Sequence, residues 1–159
     1  MDAADSKKVL KMIPYGMFVC TTKSHDEIAA STVTWVTQCS FKPPLLTVAI
    51  KADTKIYDIL KAAGRFALHV VPAGEKKLAS RFFRPATVEE SRINGVPFTM
   101  DNEYDLPILD STPAHLICEI KRIPEIGDHH LFIAEIVDAV FRKEMESLLL
   151  QDTGWRYSG

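Results

Sequence analysis

The chain has 159 residues, 19 Lys and Arg against 21 Asp and Glu, and 47% hydrophobic residues, proportions that suit one domain burying about two thirds of its unfolded surface. A formal charge of -2 gives no positive excess to draw nucleic acid or an anionic membrane, and apolar runs such as 45–50 and 131–134 fall far short of the ~18 residues of a membrane span. Asp2 and Asp5 stand where a secretory signal would want basic charge, and Cys20, Cys39 and Cys118 are scattered and lack a CxxC pair. A cytoplasmic protein without a disulfide framework is expected, its cysteines small reduced core residues.

In chain order, residues 1 to 13 read as a short amphipathic helix that packs through Val9, Leu10, Met12 and Ile13 and stops at Pro14. Met17–Thr22 and Ile28–Cys39 read as two strands, an antiparallel pair joined by a polar turn at Lys23–Glu27. Pro43–Pro44 ends the pairing, and Leu45–Ile50 restarts as an apolar strand. Ile56, Ile59, Leu60 and Ala63 then repeat at helical spacing, with Thr54 placed to cap the first turn and Gly64 to end the last. Arg65–Val71 reads as a buried strand and Glu75–Phe83 as a helix. Residues 84 to 110, with three prolines and a charged 88–92 segment, read as a long functional loop with a single helical turn. Ala114–Arg122 and His129–Arg142 are two long strands, and Leu148–Leu150 a short one. Six or seven strands that are sequence neighbours, with two or three helices, point to a mainly β fold: an antiparallel barrel flanked by helices, with an open α+β sheet as the alternative.

The glycine-rich, nucleophile-elbow and zinc-helix signatures of dinucleotide-binding, phosphate-loop, hydrolase and metalloprotease chemistry are absent from the chain. The adjacent His129 and His130 would point to opposite faces of a strand and could not share one ion, so no metal site is assigned. The unusual stretch is Ser31–Ser40, STVTWVTQCS, six polar side chains around one tryptophan. Unpaired buried hydroxyls cost about 1–3 kcal/mol each. These groups therefore bond nearby backbone, face water as a threonine-rich surface, or meet a flat aromatic ligand lying against Trp35.

Four segments, IPYGMFVCTT, ASTVTWVTQCSFKPPLLTVAIK, DTKIYDILKAAGRFALHVV and GDHHLFIAEIVDA, together with the tail TGWRYSG, resemble the flavin reductase-like FMN-binding split barrels. TVTWVTQCSFKPP is the most specific piece, and the tail is similar to the branch holding flavoredoxins and reductases linked to rubredoxins or diiron flavoproteins. The resemblance implies one split β-barrel domain over residues 1–159, working as a homodimer that binds FMN, or FAD, near its interface. It implies an NAD(P)H:flavin oxidoreductase that takes hydride from NADH or NADPH and passes electrons to free flavin or a redox protein partner. An electron-transfer protein with tightly held FMN, or a non-catalytic FMN or haem module, are the alternatives. Carried over residue by residue, Trp35 and Thr37 match flavin contacts, and Thr32, Thr34, Gln38 and Ser40 belong to the same stretch. Ala29 stands where a relative has a polar ligand. Thr54 is set for the ribityl or phosphate end at a helix start. Arg84 is the phosphate cation, with Arg81 as the fallback. His129 lies by the ring as the catalytic residue, His130 points away, and Cys39 has no role.

Overall fold

The computed structural model describes residues 2–157; Met1, from the expected first helix, and Ser158 and Gly159, from the tail motif, lie outside the described residues. Seven antiparallel strands form the main sheet: β1 (Phe18–Ser24), β2 (Glu27–Val33), β3 (Val36–Ser40), β4 (Leu45–Lys51), β5 (Arg65–Val70), β10 (Ala114–Arg122) and β11 (His129–Phe141). Their spatial order is β2-β1-β5-β10-β11-β4-β3. The two edge strands are thus chain neighbours with only Thr34 and Trp35 between them. Three Cα steps reach at most about 11 Å, so the sheet must curl until its edges nearly meet. The result is a barrel whose wall is split where β2 ends and β3 begins.

This corrects the single strand expected over Ile28–Cys39. The chain leaves β2 after Val33, and Trp35 is already held on the opposite edge, its carbonyl accepting from the Ala49 N–H at 3.0 Å. The β1–β2 hairpin itself forms as expected, running from Phe18 opposite Val33 to Ser24 opposite Glu27.

Helix α2 (Lys55–Ala63) closes the barrel, burying Ile56, Tyr57, Ile59 and Leu60 among Val33, Val48, Ile50, Phe66, Leu68 and Phe132. Each such side chain contributes roughly 1.5–3 kcal/mol on burial. Gly64 ends the helix at φ 70°, the left-handed conformation that a residue without Cβ adopts most easily.

Residues 84 to 110, expected as a loop, instead form a second sheet of four short strands in sequence order: β6 (Val88–Glu89), β7 (Arg92–Ile93), β8 (Val96–Asp101) and β9 (Leu106–Leu109). The turn between β7 and β8 is Asn94–Gly95, both with positive φ (50° and 82°), a two-residue hairpin signal. This sheet backs onto the barrel wall. Leu106 and Ile108 pack on Ala67 and Ile117, which is why β5 is buried on both faces. Ile93, Val96, Phe98 and Leu109 pack with Met17, Val71, Ala79 and Phe82, fixing helix α3 (Lys76–Arg81) beside β2.

Two terminal segments also differ from expectation. Residues 147–149 contribute only isolated bridges, Ser147 to Pro72 and Leu149 to Gly16, before the short helix α4 (Leu150–Thr153). The first helix, α1 (Ala3–Leu10), is capped by Asp2 but buries no residue, and Val9 and Met12 stand 61% and 80% exposed, so the expected packing is not made within the chain. Cys20 and Cys118 are buried, as expected; Cys39 is exposed. Among the described residues no helix is long and apolar enough to cross a membrane.

Candidate active site

The split in the barrel wall opens into a cleft of about 570 Å³, within the usual ~300–1,000 Å³ of small-molecule sites. One wall is β2 from Ile28 to Val33, the other the end of β4 with the start of α2, and Thr34 and Trp35 join them at the seam. Phe82 to Ala86, His129 and residues 155–157 complete the rim. Most of this lining is carbon, so a flat, largely apolar ligand fits it better than a sugar or a peptide.

Polar groups at the seam are few and unevenly satisfied. The Thr32 hydroxyl donates to the Ala79 carbonyl at 2.6 Å, and the Thr32 N–H donates to the Phe82 carbonyl at 3.2 Å, so both serve to bind α3 to the barrel. The Thr54 hydroxyl donates to the Lys51 carbonyl at 2.7 Å; Thr54 sits at the N-cap position without a side-chain cap bond, in contrast to the expected cap. In contrast, Thr34 Oγ1 and Trp35 Nε1 are buried and, among the described residues, have no hydrogen-bond partner. A buried donor left so costs free energy unless a ligand or water completes it, so these two atoms fit a ring edge that presents hydrogen-bond acceptors.

Aromatic groups gather over the same seam. The Trp35 ring centroid lies 4.7 Å from His129 and 5.4 Å from Tyr157. His129 Nδ1 is 2.9 Å from Asp128 Oδ1 and Nε2 is 2.7 Å from the Tyr157 hydroxyl. The carboxylate can only accept, so Nδ1 donates to it, and in that tautomer Nε2 accepts from the phenol. The hydrogen bond from His129 holds the Asp128 carboxyl below the usual carboxylate range, while partial burial raises the Tyr157 phenol. His130 turns the other way, with Nδ1 at 2.7 Å from the Tyr57 hydroxyl.

Cations ring the mouth. Lys51, Lys55, Arg84 and Arg156 all border the cleft. Lys51 pairs with Asp53 and Lys55 with Glu27; among the described residues Arg84 and Arg156 have no carboxylate partner. Arg81, the fallback cation, does not border the cleft; its carbonyl accepts from Asn94.

The structure thus brings together Thr32, Thr34, Trp35, Thr54, Arg84 and His129. It does not bring Thr37, Gln38 and Ser40 with them. These lie beyond the seam on β3, where Thr37 and Gln38 are exposed and their side chains bond local backbone, Thr37 to the Gln38 carbonyl and Gln38 to the Ser40 carbonyl. A strand that changes sheet edges after Val33 cannot keep its period-two faces through Ser40. Lys51, Lys55, Trp155, Arg156 and Tyr157 were missed as lining residues. The tail motif held the only signal for the last three.

Comparison with known proteins agrees with this fold. A family model described as flavin reductase like domain matches residues 10–158. The NADH-dependent FAD reductase of Streptomyces globisporus is 29% identical over 158 residues, 98% of this chain and 85% of that one. The solved structure of the Streptomyces globisporus C-1027 NADH:FAD oxidoreductase SgcE6 with NAD and FAD fragments superposes with a TM-score of 0.78 at 29% identity, over 93% of this chain and 87% of that one. Diflavin flavoprotein A 1 of Synechocystis is 28% identical over 136 residues, 85% of this chain but 24% of its own length. Fold, cleft and sequence together place the chain in the flavin reductase like domain family.

Proposed function

We propose that the protein is an NAD(P)H:flavin oxidoreductase that holds a flavin, FMN in our reading with FAD as the alternative, in the cleft at the barrel seam. The observation that carries the proposal is the pair of buried donors without a partner among the described residues, Thr34 Oγ1 and Trp35 Nε1, in a cleft lined mostly with carbon. The relative named for NADH-dependent FAD reduction, alike over nearly the whole chain, supports the reaction. A bound flavin supplies the hydride-accepting chemistry.

The chain's own part is placement. Thr34 and Trp35 donate to acceptor atoms on the ring edge, and donors fixed where negative charge develops favour the reduced product. Arg84, which borders the same cleft as the start of α2, takes a phosphate. His129, oriented by Asp128, holds Nε2 at the cleft, where it would accept from an amide N–H of the second substrate. Thr32 positions α3 and the Phe82–Arg84 segment, so its contribution runs through structure.

Electrons then pass to free flavin or a redox protein. That the chain corresponds to about a quarter of a diflavin flavoprotein supports a protein partner of diiron flavoprotein or rubredoxin type. We further propose that the domain works as a homodimer in the cytoplasm. Phe141 ends β11 and Met145 follows it, 74% and 45% exposed, beyond the part of β11 that pairs with β4, and all three cysteines are free thiols.

The test is anaerobic: purified protein with FMN and NADH should bleach the flavin absorbance through many turnovers. Absence of nucleotide oxidation with either nicotinamide and either flavin overturns the reading. Bleaching for a single turnover, by protein that retains its flavin on gel filtration, would favour the electron-transfer alternative.

A further inference from the structure

Tyr157 is anchored close by but held weakly itself. The chain is fixed through Trp155. Lys76 Nζ donates to the Thr153 carbonyl, Trp155 N–H donates to Thr153 Oγ1 at 2.9 Å, and the Trp155 ring packs edge-on to Phe83 at 4.9 Å beneath the Lys76 ammonium. Two residues on, the phenol of Tyr157 makes one hydrogen bond among the described residues, to His129 Nε2. Its ring stands 5.4 Å from Trp35 and 5.9 Å from His129, yet is 47% exposed. It therefore occupies the outer position of the cleft, while the inner positions along Ala29, Ala30, Val33 and Thr34 are buried.

We infer that Tyr157 is a tethered competitor of the nicotinamide. Its planar ring, hydrogen-bonded to His129 Nε2 at the mouth of the cleft, holds the place that the second planar ring of the reaction must take, and it swings out about the Trp155 anchor when that substrate arrives. This rests on the proposed flavin reductase function. The chemistry of exchange is balanced: a phenol that packs tilted against Trp35 and donates to Nε2 leaves, and a nicotinamide that packs there and donates through its amide N–H enters. His129 Nε2 accepts a hydrogen bond in either state. Because only the open fraction binds, the apparent dissociation constant of the nucleotide is the intrinsic one divided by that fraction. The residue thus sets nucleotide affinity while leaving the buried inner position, where the flavin lies, untouched.

The experiment compares wild type, Y157F and Y157A. Flavin affinity is read from fluorescence quenching, nucleotide affinity from an absorbance titration of the flavin-loaded protein with NAD+, which cannot reduce it, and KM for NADH from steady state. A single neutral hydrogen bond is worth about two- to tenfold in such an equilibrium. Y157F should therefore bind NAD+ and NADH about two- to tenfold more tightly, and Y157A, which also removes the ring, about tenfold or more, with flavin affinity changed less than about twofold. A residue that merely supported the site would weaken binding when cut back. If Y157A binds the nucleotide equally or less tightly, the inference is overturned. If it is flavin affinity that rises about tenfold, the ring stands in the flavin's place and the inference is equally overturned. Wild type that takes no flavin and oxidises no NADH would instead refute the function on which the inference rests.

Discussion

Replacing Thr34 with Val should make the flavin-free protein more stable and the flavin complex weaker. The change keeps the branched shape and removes a hydroxyl that is buried without a partner among the described residues. An unsatisfied buried hydroxyl costs about 1–3 kcal/mol; Thr34 is 8% exposed, and the low end, about 1 kcal/mol, is the fair expectation there. A domain of this size shifts its Tm by about 2–4 °C per kcal/mol, so T34V should melt about 2–4 °C higher without ligand. With flavin bound, the variant lacks a hydrogen bond that the wild type makes. A net loss of about 0.5–1.5 kcal/mol weakens binding about two- to tenfold. Circular dichroism melts of flavin-free protein and a fluorescence-quenching titration with FMN measure both. The opposite signs are the diagnostic feature, because a packing defect would lower both quantities. Should T34V melt lower than wild type without flavin, or bind FMN as tightly, the hydroxyl is not a ligand donor and the reading of the seam is wrong.

Two further expectations concern charge. Arg84→Ala should weaken FMN several-fold, on the order of three- to tenfold, at low salt and leave riboflavin nearly unchanged, the difference shrinking as salt screens the pair; equal losses for the two flavins would remove Arg84 from the phosphate. The second is acid lability. Burial, with the neighbouring His115 and Arg142 charges, lowers the His69 pKa from 6.5 to about 3, and burial lowers that of His115 as well. Above pH 6.5 both states hold a neutral ring and nothing is lost. As pH falls below 6.5 the unfolded chain takes a proton that folded His69 refuses, so stability drops by about 1.4 kcal/mol per pH unit until pH approaches about 3. Urea midpoints at pH 7, 6 and 5 should fall accordingly, and the fall should be shallower in His69→Gln; a midpoint unchanged between pH 7 and 5 would contradict the assignment.

The elements whose apolar residues repeat cleanly were legible from residues alone. Helix α2 lies within a residue or two of its expected bounds because Ile56, Ile59 and Leu60 face one way and Gly64 can adopt positive φ. Strands β10 and β11 follow from their length and lack of proline. The second sheet was missed because Pro85, Pro97 and Pro107 read as loop and the Asn94–Gly95 turn signal was not used, although Pro107 lies on the edge strand β9, where proline is tolerated. The seam was missed for a different reason. Nothing local in TVTWVT marks a strand break, since every residue of it favours strand; the break is imposed by closure of the barrel. The same event separates Thr34 and Trp35, which border the cleft, from Thr37, Gln38 and Ser40, which do not.

Barrel closure and the candidate site therefore depend on the same two residues. A linker of two, set between strands that pair with different neighbours, engages a ladder through the Trp35 carbonyl, but it leaves the side-chain atoms Thr34 Oγ1 and Trp35 Nε1 buried without partners among the described residues. A purely structural linker would favour small or apolar residues here, because a neutral hydrogen-bonding group enclosed in carbon lowers stability. Sites where a chain breaks the rules of its own core are where function is expected. The buried Thr21, His69 and Thr112 network shows the contrast: there the hydroxyl of Thr21 donates to the Pro107 carbonyl at 2.6 Å and both His69 nitrogens have partners within 3.3 Å. Polar groups in that network serve to fix the second sheet against the barrel. At the seam, Thr34 Oγ1 and Trp35 Nε1 have no such partner among the described residues, which is the reason for assigning them to a ligand.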